Sequence, residues 1–160
     1  MNNTINSDNK KLIDQLIATH QSQKGALLPL LHAIQDKLGF IPSEHVADIA
    51  IGLNLSRAEV HGVITYYHYF RTTPPGKHML QVCRAEACQS CGADELLAVA
   101  EKALGCQSHE TSKNGAVTLE PVYCLGLCAS SPAIQIDDQV YGRVTAERLQ
   151  KMIAGLEAGQ

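Results

Sequence analysis

Two pairs of cysteines constrain this 160-residue chain more than any other feature: Cys83-x4-Cys88 and Cys124-x3-Cys128, with 35 residues between them. Each pair follows a run that reads as a β-strand, HMLQVC ending at Cys83 and VTLEPVYC ending at Cys124. If the two strands lie parallel in one sheet, their following loops leave the same edge and four thiols can converge on one point. Soft thiolates so placed are ligands for an iron–sulfur cluster or a tetrahedral zinc. No residue from Pro121 to Ile136 is charged. Leu125, Leu127, Ala129 and Ala133 are expected to wrap the second loop and keep water away, and Gly126 lets backbone approach closely.

Three other chemistries compete at these residues. Cys88-Gln-Ser-Cys91 lies between a strand and a helix and has the spacing of a thiol–disulfide oxidoreductase dithiol. That reading leaves Cys83, Cys124 and Cys128 without a task. Cys83-x4-Cys88-x2-Cys91 is also the start of a plant-type ferredoxin ligand run, with Cys124 or Cys128 as the fourth ligand. Zinc tolerates x4 and x3 spacings and stays open. Cys91 and Cys106 are expected to be ordinary buried thiols, Cys91 opening a helix.

All six cysteines fall in the second half of the chain, which is the more acidic: residues 1–77 carry seven Lys/Arg against six Asp/Glu, residues 78–160 six against ten. A formal net charge of −3 argues against nucleic acid or an anionic membrane as the main partner. With 45% hydrophobic and 18% charged residues the chain has the composition of a folded globular protein. Residues 1–15 hold no apolar run of signal-peptide length and no window is apolar enough to span a bilayer, so a cytoplasmic location is expected. In a reducing compartment clustered cysteines are metal ligands or redox thiols before they are structural disulfides.

Ahead of the cysteines the periodicity is helical. Residues 1–7 read as a frayed polar end, followed by a helix capped at Ser7 or Asp8 with Leu12, Ile13, Leu16 and Ile17 on one face. A second helix follows Gly25 and stops at Gly39, a third starts at Pro42-Ser43, and Ser56-Arg-Ala-Glu59 is a capping box for a fourth with the body VHGVITYYHYF. Tyr66-Tyr67-His68-Tyr69-Phe70 holds four of the seven aromatics and reads as helix core or as a docking anchor. Thr72-Thr-Pro-Pro-Gly76 breaks the pattern and marks a boundary between 1–76, a helical region, and 77–160. Beyond it come a strand, the helix ADELLAVAEKAL, a second strand, a hairpin turning at Asp138-Gln139, and a helix capped by Thr145. The class is α+β, a helical region followed by a small mixed sheet with flanking helices. Arg84 and Glu86 read as a solvated loop pair, and the seven scattered histidines carry no ligand role.

With these residues in view, the chain resembles the thioredoxin-like [2Fe–2S] subunit family over residues 25–150. The resemblance is carried by Ala26-Leu-Leu-Pro-Leu-Leu-His-Ala-Ile-Gln-Asp, Gly39-Phe-Ile-Pro, Leu55-Ser-Arg-Ala-Glu-Val-His-Gly-Val and Pro121-Val-Tyr-Cys-Leu-Gly-Leu-Cys. It implies a thioredoxin-like α/β domain in residues 77–160, with one [2Fe–2S] cluster ligated by Cys83, Cys88, Cys124 and Cys128. Val82-Cys-Arg-Ala-Glu-Ala-Cys-Gln-Ser and Leu119-Glu-Pro-Val-Tyr-Cys are similar, more narrowly, to gamma subunits of soluble NAD-dependent formate dehydrogenases. The corresponding [2Fe–2S] subunits of respiratory NADH:quinone oxidoreductase and of NAD-linked hydrogenases are the near alternatives. The resemblance implies a flavin- and NAD-binding beta subunit carrying FMN and, for the formate enzyme, an alpha subunit carrying a molybdenum cofactor. No G-x-G-x-x-G follows a strand and no P-loop is present, so no turnover is expected of this chain alone. The uncharged ligand loop in an acidic domain is expected to lower the cluster's potential, which suits a one-electron store beside a flavin.

Overall fold

A computed structural model describes residues 2–158, with side chains from Ser7 onward. The chain divides into two compact units, Met1–Pro74 and Pro75–Gln160.

The first unit is helical: α1 (Asn2–His20), α2 (Leu27–Leu38), a 3-10 turn (Ser43–His45), α3 (Val46–Leu53) and α4 (Arg57–Tyr66). Helix α1 begins at Asn2, so the frayed end expected over residues 1–7 is not found; Met1 lies outside the described residues. Ile13 and Ile17 are the buried positions of α1, while Leu12 and Leu16 lie half-buried at its margin. They meet Leu30, Leu31 and Ile34 of α2, Ile49 of α3 and Val60 and Ile64 of α4 in one apolar core. Gly39 ends α2 at φ +81°, a conformation that a side chain would strain. The capping box forms as the sequence predicts, with the Glu59 N–H donating to Ser56 Oγ (3.2 Å) and the Ser56 N–H donating to Glu59 Oε2 (2.8 Å).

Helix α4 stops at Tyr66, four residues short of the expected body. The reason is a buried glutamine. Gln35 is 4% exposed; its Nε2 donates to the Tyr69 carbonyl (2.8 Å) and its Oε1 accepts from the Arg71 N–H (2.9 Å). These bonds, with the turn closed by the Phe70 N–H on the Tyr67 carbonyl (3.0 Å), satisfy the backbone without helical pairing beyond Tyr67. Of the aromatics only Phe70 is buried; Tyr66, Tyr67 and Tyr69 are 75%, 42% and 52% exposed, which rules out the helix-core reading of that segment.

The second unit runs β1 (His78–Cys83), α5 (Glu86–Ser90), α6 (Ala93–Leu104), β2 (Glu110–Thr111), β3 (Val117–Val122), a 3-10 turn (Cys128–Ser130), β4 (Ile134–Ile136), β5 (Gln139–Tyr141) and α7 (Ala146–Glu157). The strands form one mixed sheet in the order β2-β3-β1-β4-β5. Strands β1 and β3 are parallel, with His78 opposite Val117 and Cys83 opposite Val122; the other pairings are antiparallel. Leu80 and Val82, Val117 and Leu119, and Ile134 and Ile136 share one face at the period of two that a pleated strand imposes, and α6 and α7 cover it with Leu96, Leu97, Ala100, Leu149 and Ile153. The hairpin turns one residue earlier than expected, through Asp137-Asp138. Asp137 sits at φ +51°, and its carboxylate accepts from the Met79 N–H and from His78 Nδ1, both at 2.8 Å, which pins it at the turn. The two-residue β2 and the five-residue α5 are too short to show a periodicity. This architecture, a helical region with a mixed sheet, is that of a thioredoxin-like α+β fold.

Candidate metal centre

The parallel pairing of β1 and β3 brings both cysteine loops to one end of the sheet. Cys83 is the last residue of β1, and Cys124 lies two residues past Val122, its register partner. The strand ends are tied together: the Arg84 N–H donates to the Val122 carbonyl (2.7 Å) and the Cys83 N–H to the Ala133 carbonyl (3.0 Å). Strand β3 therefore stops at Val122, short of the expected Cys124, and the chain turns out of the sheet through Cys124 at φ +92°. Few residues other than glycine adopt that conformation, and such outliers gather where a site demands them.

The four thiols stand as two pairs. Cys83 and Cys88, the latter carried on α5, are each 2% exposed and pack with Ala93 and Ala133, flanked by Ala85, Val122, Leu125 and Leu127. Cys124 and Cys128 are exposed, with their sulfurs 3.7 Å apart. The apolar wrapping expected of the second loop is supplied by Leu125, Leu127 and Ala133; Ala129 is exposed and takes no part. The two pairs address each other through backbone N–H groups. Burial by itself would push the Cys83 thiol up, but N–H donors from Ala85, Leu125 and Cys124 and a bond with the Cys88 thiol bring it below its ordinary value. Two of those donors come from the opposite loop. Cys128 moves the other way, raised by its hydrogen bond with Cys124, by the like charge there and, further off, by Cys88 and Cys83. The Gly126 N–H donates to Cys124 Sγ (3.4 Å), and Gly126 at φ +77° makes that turn possible. Ser131 contacts both pairs, its Oγ 3.5 Å from Cys88 Sγ and donating to the Cys128 carbonyl (2.8 Å).

Among the described residues no three His, Cys, Asp or Glu side chains close on a single point in the manner of a mononuclear metal ion. Two thiol pairs facing one another, with amide donors turned toward sulfur and aliphatic side chains behind, suit a two-iron centre in which each iron takes two protein ligands. The donor set fits a [2Fe–2S] cluster.

The remaining cysteines stand apart. Cys91 is exposed and caps the C-terminal end of α5, and α6 starts only at Ala93, so it is neither buried nor the opening of a helix. As a candidate dithiol the two are not presented together, since Cys88 is buried on α5 and Cys91 is exposed at its end. Cys106 is buried as expected, and burial, then Glu110, Glu101 and Glu157, raise its thiol. Arg84 pairs with Asp94 (2.8 Å), not with Glu86. His45, His78 and His109 each donate through Nδ1 to a carboxylate, of Asp48, Asp137 and Glu120, consistent with structural roles. Sequence reasoning missed Ser131; a serine three residues past the last cysteine carries no signal until the fold sets it beside Cys88.

The chain belongs to the thioredoxin-like [2Fe–2S] ferredoxin family, whose profile it matches over residues 13–157. One [2Fe–2S] cluster is the cofactor of that family. The chain is 34% identical over 156 residues to NADH-quinone oxidoreductase subunit 2 of Thermus thermophilus, covering 96% of this chain and 86% of that one. It is 29% identical over 140 residues to the NADP-reducing hydrogenase subunit HndA of Solidesulfovibrio fructosivorans, covering 88% of this chain and 82% of that one. Its fold is shared with part of an NAD+-reducing [NiFe]-hydrogenase solved in the H2-reduced state, at a TM-score of 0.69 and 22% identity, covering 84% of this chain and 22% of the hydrogenase chain. No helix among the described residues is long and apolar enough to cross a membrane.

Proposed function

We propose that this chain is the electron-transfer subunit of a cytoplasmic NAD-linked oxidoreductase complex, holding one [2Fe–2S] cluster on Cys83, Cys88, Cys124 and Cys128 in the unit formed by residues 75–160. The observation that carries the reading is that the parallel β1/β3 pair brings both cysteine loops to one end of the sheet, where the Arg84 N–H donates to the Val122 carbonyl and Ser131 contacts Cys88 Sγ and the Cys128 carbonyl. When bound, such a cluster takes up and returns one electron at a time.

The chain's own residues set the conditions. Leu125, Leu127, Val122 and Ala133 exclude water from the buried pair, which disfavours added negative charge. The N–H donors of Ala85, Cys124 and Leu125 work against that, favouring charge on Cys83, and the Gly126 N–H donates to Cys124 Sγ. Cys124 and Cys128 stand at the surface, so the second loop is the side offered to a redox partner.

The names of the relatives support a host of the respiratory NADH:quinone or NAD(P)-reducing hydrogenase kind, with a flavin- and NAD-binding subunit as neighbour. A formate dehydrogenase, with a molybdenum-dependent alpha subunit, is the second reading, favoured by the resemblance of residues 82–90 and 119–124 to its gamma subunits. The test is anaerobic purification of the tagged chain from its own cell with whatever accompanies it. Iron, acid-labile sulfide, flavin and molybdenum are measured, and NADH, H2 and formate are supplied in turn as reductants. The proposal expects about two irons and two sulfides per chain, bleaching on reduction and a spin-half EPR signal. Reduction by NADH or H2 without molybdenum fits the first host; reduction by formate with molybdenum fits the second. A colourless, iron-free chain that also resists reconstitution with iron and sulfide overturns the proposal.

A further inference from the structure

We infer that Ser131 is a positioning residue for the cluster, its hydroxyl donating to the Cys88 thiolate and raising the potential at which the bound cluster takes its electron. The inference rests on the ligand assignment proposed above and extends it to a residue outside the four cysteines.

In the thiol form, Cys88 has two hydrogen-bonding neighbours among the described residues, Ser131 Oγ at 3.5 Å and the Cys83 thiol. A serine hydroxyl has one proton, and here it goes to the Cys128 carbonyl at 2.8 Å, so in the thiol form Ser131 is not the donor to Cys88. Metal ligation removes the S–H protons of Cys88 and Cys83 to solvent. The bond between those two thiols then has no proton left, and the one proton within reach of Cys88 is that of Ser131. A thiolate is a charged acceptor and outcompetes a neutral carbonyl for it. Cys88 is 2% exposed, so water offers little alternative. Cys83 and Cys124 differ: Cys83 has amide donors from Ala85, Leu125 and Cys124, and Cys124 has Gly126.

The donor matters more after reduction than before. The extra electron raises negative charge on the sulfurs, and a hydroxyl aimed at one stabilises that state preferentially, which lifts the potential.

The test compares midpoint potentials in two matched pairs, wild type against Ser131→Ala and Ser131→Thr against Ser131→Val. Within each pair the hydroxyl is the main difference, and the second pair holds side-chain bulk nearly constant. The expected result is full iron and sulfide in all four proteins, with the hydroxyl-free member harder to reduce by about tenfold in its equilibrium constant, or about 59 mV for one electron. Equal potentials within both pairs overturn the inference while leaving the cluster reading intact. Should Ser131→Ala fail to load, the threonine and valine pair decides; loading by threonine and failure by valine would make the hydroxyl an assembly element and overturn the tuning role. Iron-free wild type would instead sink the ligand assignment itself.

Discussion

The two cysteine loops, assigned one chemical job by the proposed ligand set, stand in opposite environments. The first is built into regular structure: Cys83 ends a central strand, Cys88 rides on α5, and both are buried. The second leaves regular structure at Val122, turns through a positive-φ cysteine and a positive-φ glycine, and leaves Cys124 and Cys128 exposed. The difference teaches a division of labour. On the proposed ligand assignment, the buried pair would fix the cluster to the sheet and set its low-dielectric side, while the exposed pair would put the other side within reach of a partner; a redox centre enclosed on all sides would exchange electrons slowly, and one open on all sides would lose its ligands to water.

The largest effect that sharpens this comparison is loss of the cluster. Alanine at Cys83, Cys88, Cys124 or Cys128 is expected to take the chain from about two bound irons to nearly none, while Cys91→Ala and Cys106→Ala keep full iron and sulfide. The metal-free proteins then separate the loops. Cys83→Ala and Cys88→Ala leave small cavities and cost about 1–2 kcal/mol in urea unfolding. Cys124→Ala and Cys128→Ala shift stability by about 0.5 kcal/mol or less, as surface changes do. Equal costs for the four would break the comparison.

Thiol labelling of the metal-free chain is the next contrast. Cys91, Cys124 and Cys128 are expected to react with an alkylating reagent at least about tenfold faster than Cys83, Cys88 and Cys106, because buried thiols react only through local opening. Cys106 carries a further signature. Burial and three nearby glutamates raise its pKa above the ordinary 9.0, so its thiolate, and with it its labelling, comes in only above that pH. Mass spectrometry of peptides labelled across a pH series reads both effects, and fast labelling of Cys83 below pH 9.0 would contradict the packing.

What the sequence disclosed follows the same division. The sheet strands, α6, α7 and the Ser56 capping box are local: alternation, helical spacing and caps lie within a few residues of one another and are read as such. So is the placement of both cysteine pairs after strands, which is why the two cysteine loops are legible from the chain alone. The failures are non-local. Periodicity carries helix α4 through Phe70, and it stops earlier because Gln35, some thirty residues upstream, takes the backbone of Tyr69 and Arg71. The hairpin slips by one residue because Asp137 answers to His78 and Met79. Cys91 reads as a core thiol, but it lies at the exposed end of a five-residue helix too short to show a period. Ser131 gains its neighbour only when the segment ahead of β4 is set beside α5.

The smallest predicted effect tests whether the second loop is shaped by its backbone or by its packing. Gly126 has φ +77°, and a Cβ built on it meets no atom within 4 Å. Gly62, in the middle of α4, also has open space around its Cβ but an ordinary negative φ. Alanine therefore adds no clash at either site, and the two substitutions differ in backbone conformation alone. At Gly62 alanine favours the helix and is expected to stabilise the metal-free protein by about 0.5–1 kcal/mol. At Gly126 it forces an L-residue into the left-handed region and is expected to cost about 1 kcal/mol. Opposite signs for the same chemical change, read as shifts of the urea midpoint at constant slope, locate the strain in the loop backbone. A stabilising Gly126→Ala would mean that the turn presenting its N–H to Cys124 is not imposed by the fold, and the contrast between a loop held by secondary structure and a loop held by its own dihedrals would fail.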